Sequence, residues 1–214
     1  MDGLTSVVVV AGGEPPPPSV VPMLPPGATV IAADSGLDHA AALGLEPSRV
    51  VGDMDSVSSA GLASLGDDVR VELHPVDKDA SDLELAVRAA LDLEPDEIVV
   101  VGGHGGRLDH LLANVALLAS NDLADVAVRW LAGRDLVIPV RDHVTVQGRA
   151  RALVSIIPIG GPALGVTTTG LRWELDEADL DPTSSRTVSN QFLGTEATVT
   201  VSSGVVVVII PDAI

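Results

Sequence analysis

Four carboxylate-rich turns punctuate the first half of the chain, and each follows a short β-branched run. They are Asp34-Ser35-Gly36, Gly52-Asp53-Met54-Asp55-Ser56, Asp77-Lys78-Asp79-Ala80-Ser81-Asp82, and Gly102-Gly103-His104-Gly105-Gly106-Arg107-Leu108-Asp109-His110. The runs before them are Ala28–Ala33, Val50-Val51, Val69–Leu73 and Ile98–Val101. In open α/β sheets ligands bind beyond the carboxyl ends of the strands, so turns distant in sequence converge on one site. Acidic groups beside a glycine-rich, Arg-bearing loop suit a metal-bound polyphosphate.

Magnesium on phosphates prefers oxygen ligands and usually takes one or two protein carboxylates. Asp53 and Asp55 alternate across one turn, so either can ligate while the other bonds a metal-bound water. Asp34, Asp79 and Asp82 complete the shell if the strand ends converge. For Asp82 there is a plainer reading: a carboxylate in the first helical turn meets the helix dipole favourably, for about 0.3–1 kcal/mol. Gly102–Arg107 supplies small residues at a strand-to-helix turn, where amides and the helix N-terminus favour phosphate. Arg107 can add bidentate bonds to phosphate oxygens. The loop is neither G-x-x-x-x-G-K-[ST] nor G-x-G-x-x-G, which weakens P-loop and dinucleotide readings. His110 and Asn114 share one helix face; His110 either contacts phosphate or makes a structural hydrogen bond. Lys78 is the one lysine among twelve basic residues. It is either a flexible point charge for phosphate or an offset to Asp77 and Asp79.

The elements that must position these groups alternate. Val7–Val10 reads as a buried strand running into Gly12-Gly13, and Pro15–Pro18 as a stiff, non-helical spacer. Leu37–Leu43 and Ser58–Leu65 read as short helices. The segment from Asp82 to Leu93 is the best-marked helix, with an S-x-x-E capping box at Ser81 and Glu84 and a stripe of Leu83, Ala86, Val87, Ala90 and Leu91. Glu97–Val101 is a continuous apolar strand of the kind a doubly covered parallel sheet uses. Arg107–Ser120 is again helical, with Leu111, Leu112, Val115 and Leu118 expected to face the core. After Asp122 the pattern changes to strands: Val126–Leu131, Leu136–Val140, His143–Gln147, Leu153–Ile159, Ala197–Val201 and Val205–Ile210. Ser202-Ser203-Gly204 reads as a hairpin joining the last two. The expected class is α/β, with a mostly parallel, Rossmann-like domain over 1–132 and a smaller all-β sandwich over 133–214.

Composition bounds the partners. The net charge of −18 argues against nucleic acid backbones and anionic membranes and steers a cationic substrate only weakly, with solubility the plainer role of most of these charges. Without cysteine, disulfides and thiol chemistry are excluded. No stretch reads as a signal peptide or a spanning helix, so a cytoplasmic protein is expected. One Phe, two Trp and no Tyr leave an aliphatic core and single out Trp130, Trp173 and Phe192, whose plainer role is packing.

At these residues the sequence resembles the thiamine pyrophosphokinases. G-D-M-D-S at 52–56 matches the family's G-D-x-D-S, and D-K-D-A-S-D at 77–82 is similar to its D-x-D-x-T/S-D. G-G-R-L-D-H at 105–110 with Ala113-Asn114 resembles G-G-R-x-D-H-x-x-A-N. T-G-L-R-W at 169–173 resembles T-G-L-K-W, and Ser189-Asn190 matches an S-N pair. Asp34-Ser35-Gly36 stands where the family often has Asp-Gly-Gly, and Leu108 replaces a frequent Phe.

The resemblance implies transfer of pyrophosphate from ATP to the thiamine hydroxyl, with Mg²⁺, giving thiamine diphosphate and AMP. It implies a homodimer with sites at the interface. Asp53, Asp55 and Asp82 become the magnesium-linked acids and, with Arg107 and Asp109, the catalytic set. Asp34, Lys78, Asp79, Gly103, Gly105, Gly106, Arg107 and His110 fall around ATP. Trp173, Ser189, Asn190 and Asn114 fall around thiamine, and a Trp face suits the cationic thiazolium. Two alternatives stand beside this reading: a diphosphokinase for another alcohol such as a hydroxymethylpterin, and a non-catalytic nucleotide or thiamine-phosphate binding protein. Trp173 and Ser189-Asn190 favour thiamine, and the full set of acidic turns favours catalysis.

Overall fold

The computed structural model describes residues 4–63, 65–66 and 68–214. The chain is a mixed α/β protein rich in β-sheet, and it divides into two compact units. The first runs to Leu117 and includes Asp125–Gly133; the second comprises Leu118–Ala124 and Arg134–Ile214.

In the first unit the order is β1 (Ser6–Val10), β2 (Thr29–Ala33), α1 (Gly36–Ala42), β3 (Arg49–Gly52), α2 (Ser59–Ala63), β4 (Arg70–Leu73), α3 (Asp82–Leu91), β5 (Glu97–Val101), α4 (Leu108–Leu117) and β6 (Ala127–Ala132). The strands lie in the order β4-β3-β2-β1-β5-β6, and every pairing is parallel. The chain steps outward from β1 to β4, then returns to the other side of β1. This reversal opens a crevice at the carboxyl ends of β1 and β5, where α/β proteins bind ligands. Val7–Val10 and Ile98–Val101 are buried at every position, so both faces of the central strands are covered.

Helix α3 packs on β1, β2 and β3 through Leu83, Ala86, Val87 and Ala90, as its periodicity requires. The Ser81 hydroxyl accepts from the Glu84 amide at 3.2 Å, capping the helix. The Glu84 carboxylate takes Arg88 at 2.6 Å instead of closing the capping box.

Three expectations change here. Helix α4 is shorter than expected and largely uncovered: Leu112 is 61% exposed and Leu108 68%, Leu111 and Val115 are half-buried, and Leu118, the one buried residue of the four expected core positions, lies just beyond its end at Leu117. Apolar spacing marks a helix face but does not supply the neighbour that covers it. Pro18 is not spacer: it opens a 3₁₀ helix, Pro18–Met23, as a first-turn proline whose missing N–H costs nothing. Helix α2 ends at Ala63, and Ser64 of the expected longer helix lies outside the described residues.

The second unit contains β7 (Asp135–Val140), β8 (His143–Gln147), β9 (Leu153–Thr169), β10 (Ala178–Leu180), β11 (Asn190–Gln191), β12 (Glu196–Thr200) and β13 (Ser203–Ile210). They pair antiparallel in the order β7-β13-β9-β12-β8, with β10 and β11 also on β9. Strand β9 is far longer than the expected Leu153–Ile159. Its first part pairs with β13 and its end, Thr167–Thr169, with β12. Gly160 and Gly165 hold φ of +74° and +60°, which lets one strand bend and serve two neighbours. Val140, Val146, Ile156, Val166, Val199, Val206 and Val208 meet in one aliphatic core.

The expected hairpin at 202–204 is a different connection. Strand β12 pairs with β8 and β9, β13 with β7 and β9, and among the described residues they do not pair with each other. The Ser202 amide donates to Leu164 O at 3.1 Å, so the link is tied to β9 and passes the chain across it.

Candidate active site

A cavity of about 840 Å³ opens in the first unit at the crevice that the topology predicts. All four turns line it, through Asp34, Asp53, Asp55, Lys78, Asp79, Asp82, Gly103, Gly105, Gly106, Arg107 and His110, and Asn114 joins them from α4. Gly12 and Gly13, just after β1, form part of its wall.

Gly52 explains how the acidic turns come so close. A Cβ there would lie 3.0 Å from Asp82 Oδ1 and 3.1 Å from the Asp34 Cβ, and its φ is +147°. Only glycine lets those two side chains flank the end of β3. Asp34 and Met54 hold φ of +48° and +62°, conformations uncommon for non-glycine residues and concentrated at functional sites. Met54 in this state turns Asp53 and Asp55 towards one another, and the Asp55 amide donates to Asp53 Oδ1 at 3.2 Å.

One oxygen each from Asp34, Asp53 and Asp55 lies within 4.8 Å of the others. Asp34 Oδ2 accepts from the Ser56 hydroxyl, while Oδ1 is buried and has no partner among the described residues. A buried carboxylate oxygen left unbonded is costly, and a cation in contact with it removes that cost. The oxygen-only donor set fits a hard divalent ion such as Mg²⁺. Asp82 stands outside this trio, in the grip of Lys78.

Lys78 is paired across the fold and not with its sequence neighbours Asp77 and Asp79. Its ammonium lies 2.6 Å from Asp82 Oδ1 and 3.1 Å from Asp53 Oδ2. Burial works to lower the lysine's pKa, but the bonds to Asp82 and Asp53 outweigh it and hold the group above its ordinary value. The Asp55 amide, and then Lys78, hold Asp53 below the usual carboxylate range. Asp55 is pushed upward by the Asp53 carboxylate beside it.

The glycine loop after β5 is left-handed at Gly102, Gly103, Gly105 and Gly106, with φ between +62° and +83°. That backbone requires glycine. Two side chains pin its start: Trp130 Nε1 donates to Gly102 O at 2.6 Å, and Asn114 Nδ2 to Gly103 O at 2.8 Å. The amides of Gly102 and Gly103 are already bonded to Leu131 O and Gly12 O. Among the described residues those of Gly105, Gly106 and Arg107 have no protein partner, so the loop's free donors lie later than its first glycines. Arg107 forms a two-pronged pair with Asp109, at 3.1 Å and 2.6 Å. This pair carries the Asp109 carboxyl down to about 2. Asp109 is the one catalytic candidate that does not line the cavity; it engages Arg107 at the rim.

The second unit has its own cavity, of about 520 Å³, lined by Trp173, Ser189 and Asn190. Trp173 is 55% exposed, and the Arg172 guanidinium lies over its ring at 4.7 Å from the centroid. Asn190 is buried and committed to backbone: Oδ1 accepts from the Trp173 amide at 3.1 Å, and Nδ2 donates to Trp173 O at 2.7 Å. The Ser189 amide, at a φ of +62°, donates to Ser155 Oγ at 3.0 Å. Asn114, grouped with these residues by resemblance, lines the first cavity instead.

Two models for successive parts of one family match the chain. Thiamin pyrophosphokinase, catalytic domain, covers residues 24–128, and Thiamin pyrophosphokinase, vitamin B1 binding domain, covers 142–206. The chain belongs to the thiamin pyrophosphokinase family. Thiamine pyrophosphokinase from Bacillus subtilis is 25% identical over 182 residues, 84% of this chain and 85% of that one. Thiamine pyrophosphokinase 1 from Oryza sativa subsp. japonica is 31% identical over 150 residues, covering 63% of this chain and 55% of its own length. The crystal structure of the Bacillus subtilis protein superposes with a TM-score of 0.87 over 98% of this chain and 100% of that one, at 23% identity, a likeness of fold.

Within this thiamin pyrophosphokinase family member, sequence reasoning missed several site residues. Trp130 was singled out only for rarity, and nothing in its spacing marks it as the clamp on Gly102. Ser56 belongs to the G-D-M-D-S run, but nothing in the sequence ties its hydroxyl to Asp34. Arg186, Thr187 and Val188 line the second cavity just before Ser189, in a stretch without periodicity. Among the described residues no helix is long and apolar enough to cross a membrane.

Proposed function

We propose that the protein transfers the terminal pyrophosphate of ATP to the hydroxyl of thiamine, yielding thiamine diphosphate and AMP. The observation that carries this reading is the pair of family matches laid in order along the chain, with the metal-type carboxylates and glycine loop of the first sharing one cavity. The first unit is the Rossmann-like catalytic domain, close to 1–132, and the second is the thiamine-binding β-sandwich, close to 133–214.

Asp53, Asp55 and Asp82 are the magnesium-linked acids, and the unpartnered buried oxygen of Asp34 supports adding Asp34 to them. Mg²⁺ held by these carboxylates would supply neutralisation of the phosphate charge. Such chemistry needs mainly positioning and charge compensation from the protein. The amides of Gly105, Gly106 and Arg107 supply donors to the phosphate chain, with Asp79 and His110 on the same wall. The Arg107 guanidinium, with no burial to restrain it, exchanges Asp109 for phosphate oxygens. Asp55, which lines the cavity beside Asp53, is the acceptor this reading assigns to the thiamine hydroxyl proton.

In the second unit Trp173 offers its free face to the thiamine rings, and Asn190 keeps the indole in place. We further read the protein as a cytoplasmic homodimer with its sites at the interface. The exposed Leu108 and Leu112, one turn apart on α4, support a covered face there, and ATP is a cytoplasmic substrate. Incubation with ATP, thiamine and Mg²⁺, then repetition with EDTA, tests the reaction. Thiamine diphosphate forms in the first and not in the second; its absence from both overturns the proposal.

A further inference from the structure

Lys78 is the chain's one lysine, and its ammonium is enclosed by the acids proposed to hold the metal. The side chain is 13% exposed, and its partners Asp53 and Asp82 are 12% and 27% exposed. Asp53 is fully engaged: Oδ1 accepts from the Asp55 amide, and Oδ2 takes the ammonium. Asp82 Oδ1 takes the same ammonium at the shorter distance of 2.6 Å. Among the described residues Asp34 and Asp55, which complete the acidic group, form no ion pair with it.

Converging carboxylates repel, and burial sharpens the repulsion. An ammonium between two of them relieves it and keeps the turns assembled. The same ammonium occupies Asp53 Oδ2, on one of the three acids able to hold a divalent ion, so ion and lysine compete for that carboxylate. A permanently structural ion pair has no such conflict. Its loss lowers stability and leaves the cation site looser; loss of a competing charge lowers stability and tightens the cation site.

We propose that Lys78 is an exchangeable internal counter-ion of the metal site. It joins Asp53 to Asp82 while no divalent ion is bound, yields those oxygens when one arrives, and is then free to meet phosphate in the same cavity. This rests on the metal site of the proposed function, and it assigns Lys78 a positioning role before nucleotide binds. The flexible four-carbon stem permits the movement, and a compact ammonium suits it better than a planar guanidinium.

The test is direct Mn²⁺ binding to the nucleotide-free protein, read from the free-ion EPR signal, together with melting in EDTA. Lys78→Met keeps the stem and removes the charge. It is expected to bind Mn²⁺ at least ~10-fold more tightly than wild type, because a positive charge beside the ion is gone. It is also expected to melt lower in EDTA and to recover most of that loss when saturated with Mn²⁺. Lys78→Arg, which keeps the charge, is expected to stay near wild-type affinity. If the Met variant does not fold, Lys78→Gln carries the same comparison. Unchanged or weaker Mn²⁺ binding in the uncharged variant, with an Asp53-dependent site intact in wild type, overturns the role of Lys78 alone. A wild-type protein that binds Mn²⁺ no better than Asp53→Asn overturns the metal site and, with it, this inference.

Discussion

Asn190 holds Trp173 by the backbone at both ends of one residue, accepting from its amide at 3.1 Å and donating to its carbonyl at 2.7 Å. A buried carboxamide thereby fixes an exposed indole whose neighbours in sequence are polar. Asn190→Ala strips both bonds and leaves groups that water must re-satisfy, so a stability loss of about 1–3 kcal/mol is expected. If thiamine stacks on Trp173, the thiamine KM rises in Asn190→Ala and in Trp173→Ala while the ATP KM holds. Calorimetric melting and steady-state kinetics check both parts; an unchanged thiamine KM in Trp173→Ala removes the stacking role.

Trp130 has a parallel task in the first unit. It is 2% exposed, and its indole N–H supplies the Gly102 carbonyl. Trp130→Phe keeps an aromatic filler and deletes the donor, so roughly 1–3 kcal/mol is lost. The glycine loop loosens with it, and the ATP KM rises more than the thiamine KM. Equal stability and unaltered ATP KM would show that the loop does not depend on this bond.

The Arg107–Asp109 pair gives a pH signature. The Asp109 carboxyl lies at about 2 against an ordinary 3.8, with the Arg107 hydrogen bonds as the leading cause. Because the folded value is depressed, the pair's contribution is complete above about pH 3.8 and disappears as pH falls towards 2. Both side chains are exposed, so the effect on global stability is small. Carboxyl-carbon NMR titration of Arg107→Gln should return Asp109 to near 3.8. A value still near 2 would assign the depression to another group.

Much of the first unit was legible because its chemistry and its geometry share the same residues. Val7–Val10, Val50-Val51 and Ile98–Val101 are β-branched, and the acids and glycines that follow them fall where parallel strands end. Burial of the strands on both faces then follows from their lack of alternation. Three features were hidden for physical reasons. The expected strand stops at Ile159, before Gly160, yet positive φ at Gly160 and Gly165 lets β9 bend and keep pairing. The apolar stripe of α4 says nothing about its cover, so Leu112 read as core and is exposed. Side-chain partners across the fold carry no local signal at all: Lys78 finds Asp53 and Asp82 in place of Asp77 and Asp79, and Asn190 spends its amide on Trp173.

Asp53 and Asp55 sit side by side with opposite shifts, Asp53 lowered and Asp55 raised. Asp53→Asn and Asp55→Asn are each expected to cut turnover by about 100-fold or more, as loss of charge compensation or of a general base commonly does. Both variants should remain folded, since relieving like-charge repulsion offsets the lost bonds. Circular dichroism alongside the assay separates chemistry from unfolding; near-wild-type turnover in both would remove the acid pair from the mechanism.

The most direct test of the central claim is the identity of the nucleotide product. ATP, Mg²⁺ and the protein are mixed with and without thiamine, and phosphorus NMR follows the products. The account predicts AMP that appears only with thiamine, in one-to-one ratio with thiamine diphosphate. Formation of ADP, or nucleotide turnover indifferent to thiamine, would contradict it.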